Sequence, residues 1–141
     1  MIKYIHIRQF DELNGKVAPN GGATIAYTCT KDEIVLATAY CHHNDPYNKR
    51  LGRLIATNRL QSPKVEPVIL PLVNPVKETI LEHMADHGFE NRVQIFLDDK
   101  GRWVSTFDPV EEPENFEEQL QDLITFNQDF DVSETDHIYR E

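Results

Sequence analysis

Apolar and polar positions alternate from Ile2 to Phe10, with Ile5 and Ile7 on one side, and the period of two predicts a strand. A polar loop with Asn14-Gly15 and Pro19-Asn20-Gly21-Gly22 follows. Two β-rich runs come next, Ala23 to Thr30 and Ile34 to Cys41, flanking a short polar turn. With Lys31-Asp32 as a two-residue turn, Cys29 faces Ile34 and Tyr27 faces Leu36. That register gathers the larger groups (Ile25, Tyr27, Ile34, Leu36, Tyr40) on one face. The opposite face is small (Thr24, Ala26, Thr28, Val35, Ala37, Ala39) and suits a closely packed helix.

The period then lengthens. Asp45-Pro46 reads as a helix cap followed by proline at the first helical position, and Tyr47, Leu51, Leu54, Ile55 and Asn58 recur at helical spacing over 46–60. Gly52 either weakens that helix by about 1 kcal/mol relative to alanine or permits close packing on the sheet. Ser62-Pro63 ends it. Val65 to Leu72 is apolar but interrupted by Pro67 and Pro71, which predicts an edge strand or an extended crossover. Asn74-Pro75 repeats the cap-and-proline pattern before a second helix marked by Val76, Ile80, Leu81 and Met84 and stopped by Gly88. Arg92 to Leu97 and Arg102 to Phe107 flank Asp98-Asp99-Lys100-Gly101, a hairpin signal. Phe116, Leu120, Leu123, Ile124 and Asn127 form the stripe of a third helix. The expected fold is α+β, an antiparallel sheet of about five strands built from hairpins, with about three helices mainly on one face. A single domain over 1–128 and an acidic tail over 129–141 are expected.

Composition adds bounds. The 141 residues are 40% hydrophobic and 27% charged, in the ordinary globular range. No apolar run reaches the roughly 20 residues of a membrane-spanning helix, and the polar-interrupted start does not resemble a signal peptide. Two cysteines are too few for a disulfide scaffold, which suggests a reducing, cytoplasmic setting. The net charge of −10 argues against a uniformly basic nucleic-acid coat.

That charge is localised. Residues 1–107 hold 13 basic and 12 acidic side chains, a balance of +1, whereas residues 108–141 hold one and 12, a balance of −11. Lys49, Arg50, Arg53, Arg59 and Lys64 cluster with no acid between Asp45 and Glu66. On the predicted helix, Lys49, Arg50 and Arg53 share a face opposite the apolar stripe and suit phosphate contacts. The bland reading is a solvated face. Glu114, Glu118 and Asp122 recur four apart on the third helix, spaced about 6 Å, near the interval of phosphates along one DNA strand. Glu111, Glu112, Glu117, Asp129 and Asp131 extend the band, and repulsion between acids four apart disfavours such a helix unless they are solvated or engaged. Here the bland reading is a solubilising end.

Catalytic and metal signals are weaker. Cys41-His42-His43-Asn44-Asp45 gathers a thiol, two imidazoles and a carboxylate, but adjacent histidines diverge and Asp45 already suits a cap. His83 and His87 share a helical face, yet Met84 stands where a zinc protease carries its glutamate, and only His6, His42 or His43 offer further ligands. Cys29 and Cys41 read as buried free thiols. No phosphate-loop, dinucleotide or nucleophile-elbow motif is present. No catalytic residue, cofactor or metal is expected.

Gly22-Ala23-Thr24-Ile25-Ala26-Tyr27, Ala39-x-Cys41, Asp45 and Lys49-Arg50-Leu51-Gly52-Arg53-Leu54-Ile55-Ala56-x-x-Arg59-Leu60 resemble a pattern in small accessory proteins of tailed bacteriophages, over about residues 20–62. The resemblance implies a viral protein acting inside a bacterial host cell. The acidic end is also similar in charge to phage DNA-mimic inhibitors. The leading expectation is a non-enzymatic binding protein that inhibits a host nucleic-acid-processing or defence machine by placing its acidic surface on a basic one. The alternative is a nucleic-acid-binding module using Lys49, Arg50, Arg53 and Arg59, with 129–141 as an autoinhibitory tail.

Overall fold

A computed structural model describes residues 1–106. The strands are β1 (Lys3–Asp11), β2 (Lys16–Val17), β3 (Ala23–Cys29), β4 (Glu33–Tyr40), β5 (Val68–Pro71), β6 (Ile95–Leu97) and β7 (Trp103–Ser105), and the helices α1 (Lys49–Gln61) and α2 (Val76–His87). The fold is α+β, built on a mixed sheet in the order β5-β4-β3-β1-β7-β6, with β2 paired to β1. The third helix expected over 116–127 and all the acidic candidates from Glu111 to Asp131 lie outside the described residues.

The β3–β4 hairpin has the expected register, with Tyr27 opposite Leu36 and Cys29 opposite Ile34. Thr30 closes its turn, its amide donating to the Glu33 carbonyl (2.9 Å) and its hydroxyl oxygen accepting from the Glu33 amide (3.1 Å). The large face carries Ile25, Tyr27, Ile34 and Leu36 and packs with Ile5, Ile7 and Ile80, Leu81 and Met84 of α2. Burying an isoleucine or leucine contributes about 1.5–3 kcal/mol, so this face dominates the core. The small face receives α1, whose Leu51, Ile55 and Ala56 pack on Ala26, Ala39 and Cys41. Gly52 is the point of closest approach, since a Cβ there would overlap the Thr24 hydroxyl.

Several expectations are corrected. The two helices cover opposite faces of the sheet, because both faces of the hairpin are apolar and each requires a cover. The sheet is mixed, because β1 is longer than its pairing with β3. Lys3–Ile7 pair with β3, leaving Arg8 and Gln9 to pair in parallel with β7. The remaining Phe10 and Asp11 pair with β2, which the sequence reading did not resolve. Finally, α1 starts later than Pro46. Pro46 bridges Asn20, the Asp45 carbonyl accepts from the Gly21 amide, and the Tyr47 amide donates to the Pro19 carbonyl. Asn48 is therefore the cap, its side chain accepting from the Leu51 amide at 3.0 Å.

Asn74 likewise does not cap α2. Pro75 occupies that place, and no side chain caps it. Gly88 is the C-cap as expected, and β5 is an edge strand. The Asp98–Arg102 turn joins β6 to β7, with the Gly101 amide donating to the Asp98 carbonyl. No helix among the described residues is long and apolar enough to cross a membrane.

Candidate functional site

Alternation along β1 sends Ile5 and Ile7 into the α2 core and leaves Tyr4, His6 and Arg8 on the α1 side. Helix α1 lies over β3 and β4, so this polar row runs beside the helix. Tyr47 stands at the junction, just before α1. Gly22 makes room for it: its φ of 111° suits glycine, and a Cβ there would meet the Tyr47 ring and the Ile7 carbonyl.

These side chains form one network. His6 Nδ1 lies 2.7 Å from the Tyr47 hydroxyl and 3.2 Å from that of Thr24. The Tyr47 hydroxyl donates to the Ala23 carbonyl at 3.1 Å, which leaves its oxygen to accept from a protonated Nδ1. In that tautomer the Nε2 lone pair faces Arg53, whose Nη1 is 3.5 Å away. The Arg8 guanidinium stacks on the Tyr47 ring, 4.7 Å from its centre, and its Nη2 donates to the Ala18 carbonyl at 3.1 Å. Its Nε is buried with no partner. Arg53 also sits over the Tyr4 ring at 6.0 Å, and the Tyr4 hydroxyl pairs with that of Thr57 at 2.7 Å.

The site is electropositive. Burial, then the charges of Lys49, Arg53 and Arg8, push the His6 imidazole down to about 4, so it is neutral at pH 7. Burial raises the Tyr47 phenol far above its ordinary range. Among the described residues, no carboxylate pairs with Arg8, Lys49 or Arg53. The ion pairs there, Arg92 with Asp86 and Arg102 with Asp98, lie elsewhere. Lys49 and Arg50 also occupy the first turn of α1, which carries no acid. A cation there opposes the helix dipole by about 0.3–1 kcal/mol, a cost that a bound anion reverses.

The four basic candidates therefore divide. Lys49 and Arg53 converge on His6, Arg50 is exposed on the first turn, and Arg59 lies apart. Arg59 Nη1 donates to the Thr38 carbonyl at 2.8 Å, where β4 has run past its pairing with β5. It ties helix to sheet. Sequence reasoning placed Tyr47 near these cations but missed His6 and Arg8 as partners of the basic helix. The signal was the alternating polar set Tyr4, His6, Arg8 opposite Ile5 and Ile7.

The other candidates do not assemble. The His42 and His43 rings stack at 4.3 Å, and His42 Nδ1 accepts from the Asn44 amide at 3.0 Å. Burial pushes the Cys41 thiol up to about 12, which leaves little thiolate for nucleophilic chemistry. Its Sγ points at the Asp45 carbonyl, 3.3 Å away. Cys29, expected to be buried, is exposed at the end of β3. His83 and His87 lie 5.3 Å apart on α2, and burial lowers the His83 imidazole. Among the described residues, no three His, Cys, Asp or Glu side chains converge to hold a metal.

Comparison of the chain with protein-family models, curated proteins and solved structures finds no match, so the likeness to phage accessory proteins rests on the residue pattern alone.

Proposed function

We propose that this chain is a small, non-enzymatic nucleic-acid-binding protein whose contact surface is the basic face between β1 and α1. One observation carries the reading: Arg53 reaches the His6 imidazole, Arg8 stacks on the Tyr47 ring that bonds it, Lys49 opens the adjoining helix, and no carboxylate pairs with any of the three among the described residues. Cations held beside stacked aromatic rings suit phosphates better than open solvent. Arg50 extends the face, and the acidic residues 129–141 act as an autoinhibitory tail that competes for it. The test is the salt dependence of oligonucleotide binding. Binding at low salt should weaken as salt rises, and Lys49→Gln or Arg53→Gln should each lower the log–log slope by about 1. Removing residues 129–141 should raise affinity. A truncated chain that binds no DNA or RNA at low salt overturns the reading.

The concentration of −11 in residues 108–141 favours a second reading. In it the acidic band of Glu111, Glu112, Glu114, Glu117, Glu118, Asp122, Asp129 and Asp131 docks on the basic surface of a host nucleic-acid-processing or defence complex, as a phage inhibitor would. Capture of one defined partner from a nuclease-treated bacterial lysate, lost on Glu114→Lys, Glu118→Lys and Asp122→Lys, supports it. Unchanged capture removes it.

A further inference from the structure

The geometry of the basic face is a point and not a track. Arg53 approaches the His6 imidazole to 3.5 Å, Arg8 stacks on the Tyr47 ring whose hydroxyl meets that imidazole, and Lys49 opens α1 two positions after Tyr47. Phosphates along a strand each carry a single charge and succeed one another at intervals, so a binder that follows them spreads its cations. Three cations around one histidine match a single group of higher charge. A terminal phosphate, a monoester, carries about −1.5 to −2 at neutral pH.

We infer that the Arg8–His6–Lys49–Arg53 cluster seats the terminal phosphate of a nucleic-acid strand, and that below about pH 6 His6 takes up a proton as the phosphate enters. The inference rests on the nucleic-acid reading and names the part of the strand that the site takes. The arrangement supports it in two ways. The Arg8 Nε is buried without a partner, and the tautomer set by Tyr47 leaves His6 Nε2 as a lone pair beside Arg53. Protonated, that nitrogen becomes one more donor next to the Arg53 guanidinium.

The direction of the coupling follows from what surrounds the ring. His6 faces Arg8 from its own strand, Tyr47 from the connection before α1, and Lys49 and Arg53 from α1, while β3 offers only the Thr24 hydroxyl. No charge of opposite sign stands among these groups, and burial with the three cations holds the empty site's imidazole neutral. A bound dianion offsets the repulsion, so the loaded site favours the imidazolium. Affinity for an anion that does not itself titrate therefore rises as pH falls from about 6 toward 4.

Two measurements on the full chain test this. The first follows the His6 Cε1–H resonance from pH 8 to 3, alone and with inorganic phosphate or sulfate. Either anion should move the midpoint up by about one pH unit, a tenfold change in proton affinity. Sulfate separates the response of His6 from the phosphate's own titration. An unmoved midpoint overturns the proton uptake. The second compares single strands carrying a 5′-phosphate, a 3′-phosphate or hydroxyls at both ends. One phosphorylated strand should bind about tenfold more tightly than the hydroxyl strand at pH 5, and the preference should be lost in Arg53→Gln. Equal affinity for all three strands, still weakened by Lys49→Gln, overturns the terminal-phosphate site and leaves the nucleic-acid reading standing. Binding of inorganic phosphate with no binding of any strand overturns both. His6→Gln should remove the pH dependence, and if that variant misfolds the Arg53→Gln comparison decides alone.

Discussion

Arg53 Nη1 approaches His6 Nε2 to 3.5 Å, joining α1 to β1, the strand next to the pair that the helix covers. In the anion-free chain a guanidinium beside the imidazole disfavours its protonated form. Stability and charge at this site are therefore linked.

The linkage has a definite sign. His6 binds its proton less readily in the folded chain, at about 4, than at its ordinary 6.5. Between these values the unfolded chain holds more protons, so the contribution of neutral His6 is complete above pH 6.5 and is lost as pH falls toward 4. The ring is only partly buried, and after allowance for solvent screening the loss is about 1–2 kcal/mol. Urea denaturation at pH 7.5 and 4.5 should show the wild-type chain losing that much more stability than His6→Gln. Equal losses would remove His6 as the source.

Tyr47→Phe separates the hydroxyl from the ring. It removes the oxygen shared by His6, Thr24 and the Ala23 carbonyl but keeps the surface on which Arg8 stacks. The expected cost is about 1–2 kcal/mol, because buried polar partners lose their mate. Tyr47→Ala should cost more, since it also empties the space that Gly22 leaves for the ring. Thermal unfolding of the pair gives the order, and a Phe variant as damaged as the Ala variant contradicts it.

How far the sequence carried the fold depended on whether the deciding contact was local. The β3–β4 register was legible because its two faces differ in size, so a slip by one residue would mix Tyr27 and Leu36 with Ala26 and Ala37. The start of α1 was not, because Pro46 is engaged by Asn20, twenty-six positions earlier in the chain. The parallel pairing of Arg8 with Val104 spans nearly all the described residues and leaves no local mark. The candidate site shows the same division. Lys49 and Arg53 stood out on a helical wheel, whereas His6 and Arg8 joined them only once α1 was laid beside β1.

The two cysteines differ in reactivity for reasons visible in the fold. Cys29 is exposed, whereas Cys41 is buried, with its thiol pushed up to about 12. A thiol-reactive disulfide reagent at pH 8 should therefore titrate one cysteine rapidly in the native protein and the second only in denaturant. Cys29→Ser should abolish the fast phase. Two fast phases in the wild type would mean that the packing around Cys41 opens readily.

Gly52→Ala tests the closest approach of helix to sheet. At an exposed helical position the change favours the helix by about 1 kcal/mol. Here the added methyl overlaps the Thr24 hydroxyl, which is fully buried and bonded to both Tyr47 and His6. Relief requires α1 to lift or Thr24 to turn away from its partners, and overpacking of this kind costs about 1–3 kcal/mol. The variant should therefore lose stability despite its better helix propensity. The double variant Gly52→Ala with Thr24→Ser, which keeps the hydroxyl and removes the threonine methyl, should recover only part of the loss because the overlap is mainly with the oxygen. Gly52→Ala with Thr24→Ala clears the oxygen and should relieve the clash more fully, at the price of the bonds to Tyr47 and His6. A Gly52→Ala chain as stable as the wild type would mean that α1 does not sit as close to β3 as the packing on Thr24 demands.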